Sequence, residues 1–464
     1  MPSAESGDKP VLAKSPVSIP DVDSISEFRM RAQELFVRID LDQDGFVSRK
    51  EISKAVENPS YKGEDAQVIA GLFDSKTWSR LVESSDDQRG KDNSISPKDI
   101  QQLDQERASK IEFASKFMPY AEKNFAKLDK DGNVFLEIGE IEFAQNNKKL
   151  SAPDRNALKQ LRAAYARLQQ ESNDEWFWEN DGITRKDLKV FAAQIDGLKQ
   201  DQAAADNAMK IADRTYRGIL DQSSTELFGG MKPKDAITPE AIKQGRIADC
   251  YFLATLASVA RNNPELIRDM IRANRNGTFT VAFPGDKAHP VTVAAPTETE
   301  LGVGNRGTKF GVWARVLESA FARWRLERGN SKYPNATIEL EGAHGPDTGK
   351  FALRVLTNSD ADERGISSLS NEQLVSTLDS VMNSNRQKRM MMASVPGGSD
   401  GEKTKDGFVK QHLYSVLAFE RTAKDRGFVT VRNPWGAGTN TPEGTTRINL
   451  ETFRRNFNIM TVQK

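Results

Sequence analysis

The chain has 464 residues, too many for a single hydrophobic core, and this length predicts about three domains. Its 66 Lys and Arg residues equal its 66 Asp and Glu residues, so no net positive charge is present to hold nucleic acid or an anionic membrane. The single cysteine excludes an internal disulfide and favours a reducing compartment. The sequence has no apolar signal segment and no membrane-length apolar run, and we therefore expect a soluble cytoplasmic protein without membrane insertion.

The first ordered segment is predicted to begin at Ser24, after a Pro- and Ser-rich lead-in that we expect to be disordered. Apolar residues at helical spacing then lead into a loop of twelve residues, 40–51. Oxygen-bearing groups recur at alternate positions of this loop, and Gly45 occupies position six, as in the calcium loop of an EF-hand. The predicted calcium ligands are Asp40, Asp42, Asp44, the Phe46 carbonyl, Ser48 and Glu51. The alternative is an acidic surface loop that holds no ion.

A second loop with the same spacing follows a long helical stretch. Its predicted ligands are Asp129, Asp131, Asn133, the Phe135 carbonyl, Glu137 and Glu140. Position six holds Val134 in place of glycine, and a β-branched residue at positive φ costs about 1–3 kcal/mol. We therefore expect a weaker calcium site, or a loop that keeps the shape without the ion.

Two further loops, residues 88–99 and 176–187, lack a carboxylate at position one and are predicted to be structural partners of the first two. The position-eight residues of the four loops are 48, 41 and 47 residues apart. They are Val47, Ile95, Leu136 and Ile183. This repeat indicates a tandem helix–loop–helix array of two pairs, each joined by a short β-ladder at position eight.

The only cysteine, Cys250, lies at the predicted start of the most apolar helical run in the chain. From Tyr251 onward nearly every residue is apolar, which predicts a helix buried on all sides. The amide donors and the dipole at a helix N-terminus favour a thiolate, which a nucleophilic cysteine needs. Gln244, six residues earlier on a Gly-containing turn, is placed to direct its amide at an oxyanion beside the sulfur. A lone cysteine by itself is more often a small buried hydrophobe.

Beyond this helix, the pattern predicts further elements in chain order. Asn263 and Pro264 predict the start of a second helix, and strands follow at 278–283 and 291–294. Residues 302–307 spell Gly-x-Gly-x-x-Gly, but no apolar strand precedes them, so we predict a mobile loop and no dinucleotide site. The remaining predicted elements are helices at 313–324 and 374–382 and strands at 390–395, 412–420 and 427–431.

Two of these late strands carry polar side chains suited to assist a thiol. His412 stands among apolar neighbours in a strand-like run, where an imidazole can act as a general base. Asn433 ends the next strand-like run, within Arg-Asn-Pro-Trp-Gly, and its amide can orient that imidazole. Each residue alone has a simpler reading, because strand histidines are often structural and Asn-Pro is usually a turn.

The order Gln244, Cys250, His412, Asn433 with these flanking sequences resembles the calpain family of papain-like cysteine proteases, from near Ile237 to the end of the chain. The resemblance implies that Cys250 is the nucleophile, His412 the base, Asn433 the orienting residue and Gln244 an oxyanion donor. It also implies an α+β fold, in which a papain-like protease of a helical and a β subdomain follows an all-α tandem EF-hand region. Tyr251 stands where calpains usually have Trp, which affects cleft packing and removes no catalytic group.

The predicted domains follow from the repeat, the composition and the resemblance. They are a lead-in (1–22), EF-hand pair 1 (23–108), EF-hand pair 2 (109–196), a helical connector (197–235), the subdomain with the catalytic Cys (236–348) and the subdomain with His and Asn (349–464).

The function predicted from these residues is that of a calcium-binding cysteine endopeptidase that forms an acyl-enzyme through a thiolate. That the substrate is a protein follows only from the resemblance. One alternative is a calcium-responsive binding or regulatory protein whose protease-like half is inert. Another is a Cys-His acyltransferase, although such enzymes more commonly orient their histidine with Asp.

The sequence departs from the calpain family in one respect that concerns calcium. Calpain protease cores bind calcium themselves, but Ala241 and Gly311 stand where the family has acidic ligands of the first core site. A hard cation needs about six to eight oxygen ligands, several of them charged. We therefore expect no calcium site within residues 231–464, and expect calcium to act through the EF-hand half.

Overall fold

The computed structural model describes residues 21–83, 94–101, 103, 106–147, 149–169, 171, 182–221, 225–306, 308–328, 348–384, 389–398, 402–436 and 444–464. Most of the predicted lead-in and the first positions of the loops at 88–99 and 176–187 lie outside these residues. In the described part of the chain, no helix combines the length and apolarity needed to cross a bilayer.

The structure mixes helices with two antiparallel sheets and one two-residue ladder. The helices are α1 (Ile25–Ile39), α2 (Arg49–Val56), α3 (Glu64–Phe73), α4 (Ser75–Glu83), α5 (Pro97–Gln101), α6 (Glu106–Ser115), α7 (Met118–Leu128), α8 (Ile138–Gln145), α9 (Ala152–Leu168), α10 (Arg185–Asp221), α11 (Pro233–Ala236), α12 (Cys250–Asn262), α13 (Pro264–Met270), α14 (Glu298–Val303), α15 (Trp313–Glu327), α16 (Thr348–Thr357), α17 (Asn371–Met382) and α18 (Leu450–Asn456). The strands are β1 (Val47–Ser48), β2 (Ser94–Ile95), β3 (Ile271–Ala273), β4 (Phe279–Val281), β5 (Val291–Val293), β6 (Ala361–Gly365), β7 (Met391–Val395), β8 (His412–Ala423), β9 (Arg426–Arg432), β10 (Thr445–Asn449) and β11 (Ile459–Gln463).

The N-terminal half contains two helical cores, each organised around paired loops. Val47 of β1 pairs antiparallel with Ile95 of β2, and Leu136 forms an isolated antiparallel bridge with Ile183. These are the residue pairs that the sequence repeat sets at loop position eight. One core gathers apolar residues of α1 to α5 and the other those of α6 to α10. Apolar burial in each core therefore holds two loops side by side.

Helix α10 joins the second of these cores to the C-terminal half. It spans 37 residues without a break and crosses the predicted boundary between residues 196 and 197. Its C-terminal part buries a row of small side chains that includes Ala204, Ala208 and Ala212. Small residues let neighbouring helices approach closely, and α10 accordingly packs on both α3 and α14. Residues 197–221 of the connector predicted at 197–235 are thus the second part of one long packed helix.

Helix α12 is the centre of the Cys-bearing subdomain, as its apolar sequence predicts. Residues 251–260 are all buried, and Phe252 stacks on Phe321 of α15 with ring centroids 4.3 Å apart. The helices predicted to start at Pro264 and Trp313 are confirmed as α13 and α15. Helix α16 packs in this same core, and a three-stranded sheet of order β3-β4-β5 borders it.

The second subdomain is a six-stranded antiparallel sheet of order β10-β9-β8-β7-β11-β6. The predicted strands at 390–395, 412–420 and 427–431 are confirmed as β7, β8 and β9. Ser415 Oγ of β8 donates a hydrogen bond to the carbonyl of Ala254 at 2.7 Å. Ser258 Oγ accepts one from the amide of Met391 in β7 at 3.1 Å. Helix α12 is therefore bonded directly to the sheet that carries His412.

The Gly-x-Gly-x-x-Gly segment, predicted to be a mobile loop, begins inside helix α14, which ends at Val303. Thr297 and Glu300 form a capping box that starts α14. A Cβ at Gly302 would stand 1.9 Å from Thr215 Oγ1, and a Cβ at Gly304 would stand 2.0 Å from Arg315 Nη1. The glycines here permit close packing of α14 on α10 and α15, a role that their spacing does not reveal.

Candidate active site

The start of α12 fixes the position of Cys250. The carbonyl of Asp249 accepts hydrogen bonds from the amides of Phe252 and Leu253 at 2.9 and 3.1 Å, so the helix begins at the cysteine. The buried body of α12 sets the direction of its axis, and the helix N-terminus meets the strand β8. The Cys250 sulfur accepts a hydrogen bond from the backbone amide of Leu413, the residue after His412. The thiol thus lies beside the strand that carries the imidazole.

His412 and Asn433 are held together between neighbouring strands. His412 Nε2 lies 2.9 Å from Asn433 Oδ1. The same oxygen accepts the amide of Trp435 at 2.9 Å, which fixes the amide group of Asn433 with its oxygen toward the imidazole. Because Oδ1 can only accept, Nε2 carries the hydrogen of a neutral His412. The basic nitrogen is then Nδ1.

Two aromatic rings enclose this pair. Trp435 lies with its ring centroid 5.0 Å from that of His412, and Tyr414 contacts the imidazole edge-on at 5.3 Å. The Tyr414 hydroxyl accepts hydrogen bonds from the amide of Val409 at 2.9 Å and from Asn433 Nδ2 at 3.4 Å. Burial raises the pKa of Tyr414 to about 12, so the hydroxyl stays neutral near the sulfur. The imidazole is only 7% exposed, which shields its bond to Asn433 from water.

The pKa of Cys250 is shifted in the direction opposite to the lowered value that its helix position predicts. Burial raises the pKa of Cys250 to about 11, and the hydrogen bond from Leu413 opposes this only in part. The adjacent Asp249 also disfavours a negative sulfur. A helix N-terminus lowers the pKa of a cysteine, but desolvation is the larger influence on Cys250, whose exposure is intermediate. The first proton therefore has to leave with help from a base.

Gln244 lies in the turn that leads into α12, next to the second subdomain. Its backbone amide donates to the carbonyl of Pro434 at 2.8 Å. Its side chain is buried, and Nε2 donates to the carbonyl of Ile247 at 2.8 Å, while Oε1 has no hydrogen-bond partner in the described part of the chain. The bond to Ile247 assigns Nε2 as the donor end of the amide and uses one of its two N–H groups.

A buried acidic network behind Cys250 was missed by the sequence reading. Asp249 is fully buried, and its carboxyl is within hydrogen-bond distance of Glu318 on α15. Burial and the charge of Glu318 raise the pKa of Asp249 well above its usual range. Glu318 also accepts from Arg315 Nη1 at 2.6 Å, and Arg315 Nη2 donates to Glu300 at 2.6 Å. In the sequence, the feature that could indicate this network is the pair Arg315 and Glu318, two charged residues three positions apart in an otherwise apolar stretch of helix.

The loop at residues 40–51 brings its first three acids together. Carboxylate oxygens of Asp40, Asp42 and Asp44 lie within 4.8 Å of one another. Asp40 Oδ2 accepts the amide of Gly45 at 3.0 Å, and Gly45 has φ +87°, the conformation its position requires. Asp40 is 8% exposed, and its second oxygen, Oδ1, has no hydrogen-bond partner among the described residues. A buried carboxylate oxygen aimed at two further carboxylates is an unsatisfied group that a cation would complete.

The other predicted ligands of this loop are hydrogen-bonded within the loop, and the Glu51 carboxylate is not part of the three-acid cluster. Phe46 donates its amide to Asp44 Oδ1 at 2.8 Å, and Ser48 forms a capping box with Glu51 at the start of α2. Glu51 accepts the amide of Leu41 at 2.7 Å, which ties both ends of the loop together. Although burial opposes ionisation of Glu51, its hydrogen bonds from Ser48 and Leu41 lower its pKa. The donor set is anionic oxygen, as a hard cation requires.

The loop at residues 129–140 has a similar framework with less burial. Asp129, Asp131 and Glu140 approach one another within 4.8 Å. Asn133 Oδ1 accepts the amide of Phe135 at 2.9 Å, and Glu140 Oε2 accepts that of Glu137 at 3.0 Å. Val134 has φ +69°, the strained conformation that the sequence predicts at position six. Where the structure describes the chain, these two loops are the acidic groups tight enough to share an ion.

Comparison with known proteins identifies the C-terminal half. The sequence model of the calpain family cysteine protease matches residues 213–444, half of the chain, and the chain therefore belongs to the calpain family. The match includes Gln244, Cys250, His412 and Asn433. The chain is also similar to the calpain-type cysteine protease DEK1 of Arabidopsis thaliana, with 28% identity over 213 residues. That similarity covers 42% of this chain and 9% of the length of the relative.

Proposed function

We propose that this protein is a calcium-binding cysteine endopeptidase of the calpain type. The observation that carries the proposal is the assembly of three groups from distant parts of the chain. Cys250 Sγ is bonded to the amide that follows His412, and His412 is bonded to Asn433. A thiol, an imidazole and an orienting amide are the groups that thiol-based acyl transfer needs. Membership of the calpain family supports peptide bonds in proteins as the substrate.

The reaction begins with the transfer of the Cys250 proton to His412 Nδ1. Because the pKa of the buried thiol is raised to about 11, a substrate that makes the imidazole–thiolate pair more favourable promotes this step. The sulfur lone pair then attacks the peptide carbonyl carbon, and the carbonyl π electrons move to oxygen. Collapse of this intermediate breaks the C–N bond, and His412 gives its proton to the leaving amine.

Deacylation uses the same groups in reverse order. His412 Nδ1 takes a proton from water as the water oxygen attacks the thioester carbonyl, and the C–S bond breaks with return of the proton to sulfur. Asn433 holds the imidazole in one tautomer through both halves of the cycle, because its Oδ1 accepts only from Nε2. We assign the oxyanion to the Cys250 amide and to the Gln244 side-chain N–H group.

We further propose that the loop at residues 40–51 binds Ca²⁺. The support is the buried and unsatisfied Asp40 oxygen facing two further carboxylates, together with Glu51 at the position of a bidentate ligand. The loop at residues 129–140 is the second and weaker site, because Val134 pays about 1–3 kcal/mol of backbone strain. Calcium here supplies positive charge that joins the carboxylates, and it takes no part in the cysteine chemistry.

The rival function is a calcium-responsive binding or regulatory protein with an inert protease-like half. The polar order around His412 argues against it, since an inert site has no need of a tautomer fixed by Asn433 and Trp435. A Cys-His acyltransferase remains the third candidate, and access of water to the thioester separates it from a hydrolase.

Hydrolysis of casein, with calcium and with chelator, tests the proposal. Wild-type protein should release acid-soluble peptides in calcium, and Cys250→Ala should lose roughly 10⁴-fold or more of this activity. His412→Ala should be as inactive as Cys250→Ala. His289→Ala changes an exposed histidine that is not part of the candidate site, and this variant should keep wild-type activity. Casein cleavage that persists in Cys250→Ala would contradict the proposal, and so would a wild-type protein that binds calcium but cleaves nothing.

A further inference from the structure

Asp74 lies between α3 and α4, far from the catalytic groups in sequence, yet it is only 1% exposed. Its Oδ1 accepts the backbone amides of Lys76 and Thr77 at 3.1 and 3.4 Å and also accepts Nδ2 of Asn207 in α10. Its other oxygen, Oδ2, accepts Nε of Arg246. This carboxylate is therefore held by its own segment on one side and by the protease half on the other.

Arg246 belongs to a segment that we call the catalytic turn, residues 242–249, which carries Gln244 and leads into Cys250. Contacts from within the family-matched half also fix this turn, including one from Asn305 Oδ1, which accepts the Lys243 amide at 2.8 Å. Arg432 Nη2 donates to the Ile242 carbonyl at 2.7 Å, the Gln244 amide donates to Pro434, and the Arg246 amide donates to Val303 at 2.6 Å. Asp74 supplies a side-chain contact to this turn from outside residues 213–444.

The negative charge of Asp74 lies among positively charged arginine side chains. Burial opposes its ionisation, but the ion pair with Arg246 outweighs burial and lowers the pKa of Asp74. Arg214 and Arg306 add further positive charge nearby, and burial together with Arg306 and Arg246 lowers the pKa of Arg214 to about 10. Without the carboxylate, Arg246 would lie among like charges and would move away from them.

Near the Asp74–Arg246 ion pair, the segment around α14 is in direct contact with the N-terminal helices. Thr297 Oγ1 donates to the Val56 carbonyl at 2.6 Å, and Glu298 accepts the amide of Gly63 at 2.7 Å. The Val303 side chain is buried in the core that gathers apolar residues of α1 to α5, and the Val303 carbonyl accepts the amide of Arg246. The catalytic turn is therefore seated directly on the N-terminal helices.

We propose that Asp74 is a positioning residue of the protease, which holds Arg246 and so fixes the catalytic turn that presents Gln244 and Cys250. The proposal rests on the proposed function, since it assigns a role in the same active site. Asp74 touches neither substrate nor sulfur. It acts on the rate because a donor or nucleophile displaced by about 1 Å can cost 10²-fold.

The first test is steady-state hydrolysis of fluorescein-labelled casein by Asp74→Asn in the full-length protein. The expected result is a kcat lowered by about 10- to 100-fold with KM within about twofold, because substrate subsites are untouched. Asp201→Asn is the matched control: it breaks a part-buried ion pair with Arg80 at 2.7 Å on α10 and α4, away from the catalytic turn. It should keep both kcat and KM.

A double-mutant cycle separates positioning from general loss of stability. Arg246→Gln should lower kcat about as much as Asp74→Asn, and the double variant should be no worse than Arg246→Gln alone, because both remove one contact. Asp74→Glu, which keeps the charge, should restore part of the activity. Additive losses in the double variant would overturn the proposal, as would an equal loss of kcat in Asp201→Asn.

Hydrogen exchange measured by mass spectrometry gives a readout independent of catalysis. Peptides covering residues 242–250 should exchange faster in Asp74→Asn than in wild type, with peptides of β7 to β9 unchanged. If Asp74→Asn folds poorly, the same comparison on Arg246→Gln applies, because that variant retains the contacts of Asp74 with Asn207 and its own segment. Unchanged exchange at 242–250 in both variants would overturn the inference, whereas failure of wild type to cleave casein would overturn only the proposed function.

Discussion

In the proposed mechanism Cys250 reacts through its sulfur anion, whereas the surroundings of the thiol favour its neutral form. Burial is the larger influence and raises the pKa of Cys250 to about 11. We predict that alkylation of the substrate-free protein by iodoacetamide is slow at pH 7 and accelerates as pH rises toward 11, because the thiolate fraction limits the rate. The measurement is the alkylation rate of Cys250 by mass spectrometry from pH 5 to 10. A rate already at its plateau below pH 7 would indicate a preformed thiolate–imidazolium pair and would contradict the prediction.

Asp249, directly before the nucleophile, has a cost to stability that depends on pH. Its folded-state pKa is raised, so its contribution is fully present below the unfolded value and is lost as pH rises toward the folded value. In Asp249→Asn, the amide N–H group can donate a hydrogen bond to Glu318 at any pH, whereas the Asp249 carboxyl must first be protonated. The variant should therefore have a higher Tm than wild type at pH 7, and a smaller gain near pH 4. The measurement is thermal unfolding at both values of pH.

Asp286 provides the opposite control for this prediction. Its hydrogen bond with His289 is the main influence that lowers the pKa of Asp286 to about 2, so its stabilising contribution is present above the unfolded pKa and is lost only as pH falls through about 2. Asp286→Asn should lower Tm at pH 7.

A lower Tm for Asp249→Asn at both pH values would show that the Asp249–Glu318 pair stabilises the fold as it stands.

At the scale of elements, the two acidic loops place glycine at different positive-φ positions, because position four holds Gln43 (φ +60°) in the first loop and Gly132 (φ +73°) in the second. Gly45 and Val134 occupy position six with φ +87° and +69°, and only the glycine adopts this conformation without strain. We predict that Val134→Gly raises the calcium affinity of the second loop about tenfold, since release of about 1.4 kcal/mol corresponds to that factor. Calorimetric titration of the full-length protein measures it. Val37→Gly, at a site that is 79% exposed on α1, should leave both affinities unchanged, and no gain from Val134→Gly would contradict the argument.

The elements that the sequence predicts well are those whose evidence is local. The α12 helix follows from an unbroken apolar run, and β7 to β9 from alternation. The capping box and close-packed glycines of α14 were read as a loop, because the contacts of Gly302 and Gly304 lie in α10 and α15. The length of α10 was likewise hidden, since its burial depends on α3 and α14, which the sequence does not bring together.

In the candidate site too, the sequence predicts the residues whose evidence is local and misses those that depend on distant partners. His412 and Asn433 were found because their flanking residues form recognisable motifs. Glu318 and Asp74 were not, because each is distinguished only by its partner, Asp249 or Arg246, many residues away. The thiol pKa was predicted in the wrong direction for a related reason: helix position can be read from sequence, but burial of the sulfur depends on the packed sheet.

At the scale of the whole molecule, the acidic loop at residues 40–51 and the catalytic turn are linked by a continuous set of contacts. Glu51 lies in the first turn of α2, and the last carbonyl of α2, Val56, accepts Thr297 of α14. The other end of α14, Val303, bonds the catalytic turn. A cation that moves Glu51 therefore acts on a helix in contact with the protease half.

This continuity leads to a prediction about calcium dependence. Casein hydrolysis should rise with calcium in wild type, and Thr297→Val should bring the ratio of rates in calcium and chelator closer to one, because it removes the bond to Val56 together with the cap of α14. Thr292→Val, which changes an exposed threonine of β5 paired with Thr280, is the control and should keep the wild-type ratio. An unchanged ratio in Thr297→Val would show that calcium acts along another route or not at all.

The central claim is that Cys250 attacks a peptide carbonyl and is acylated with the help of His412. Rapid acid quenching during casein turnover, followed by mass spectrometry of the peptide that contains Cys250, measures this directly. We predict a thioester adduct on Cys250 in wild type, its loss in His412→Ala, and its retention in His289→Ala. Casein cleavage without any adduct on Cys250, or an adduct that forms equally in His412→Ala, would contradict the account.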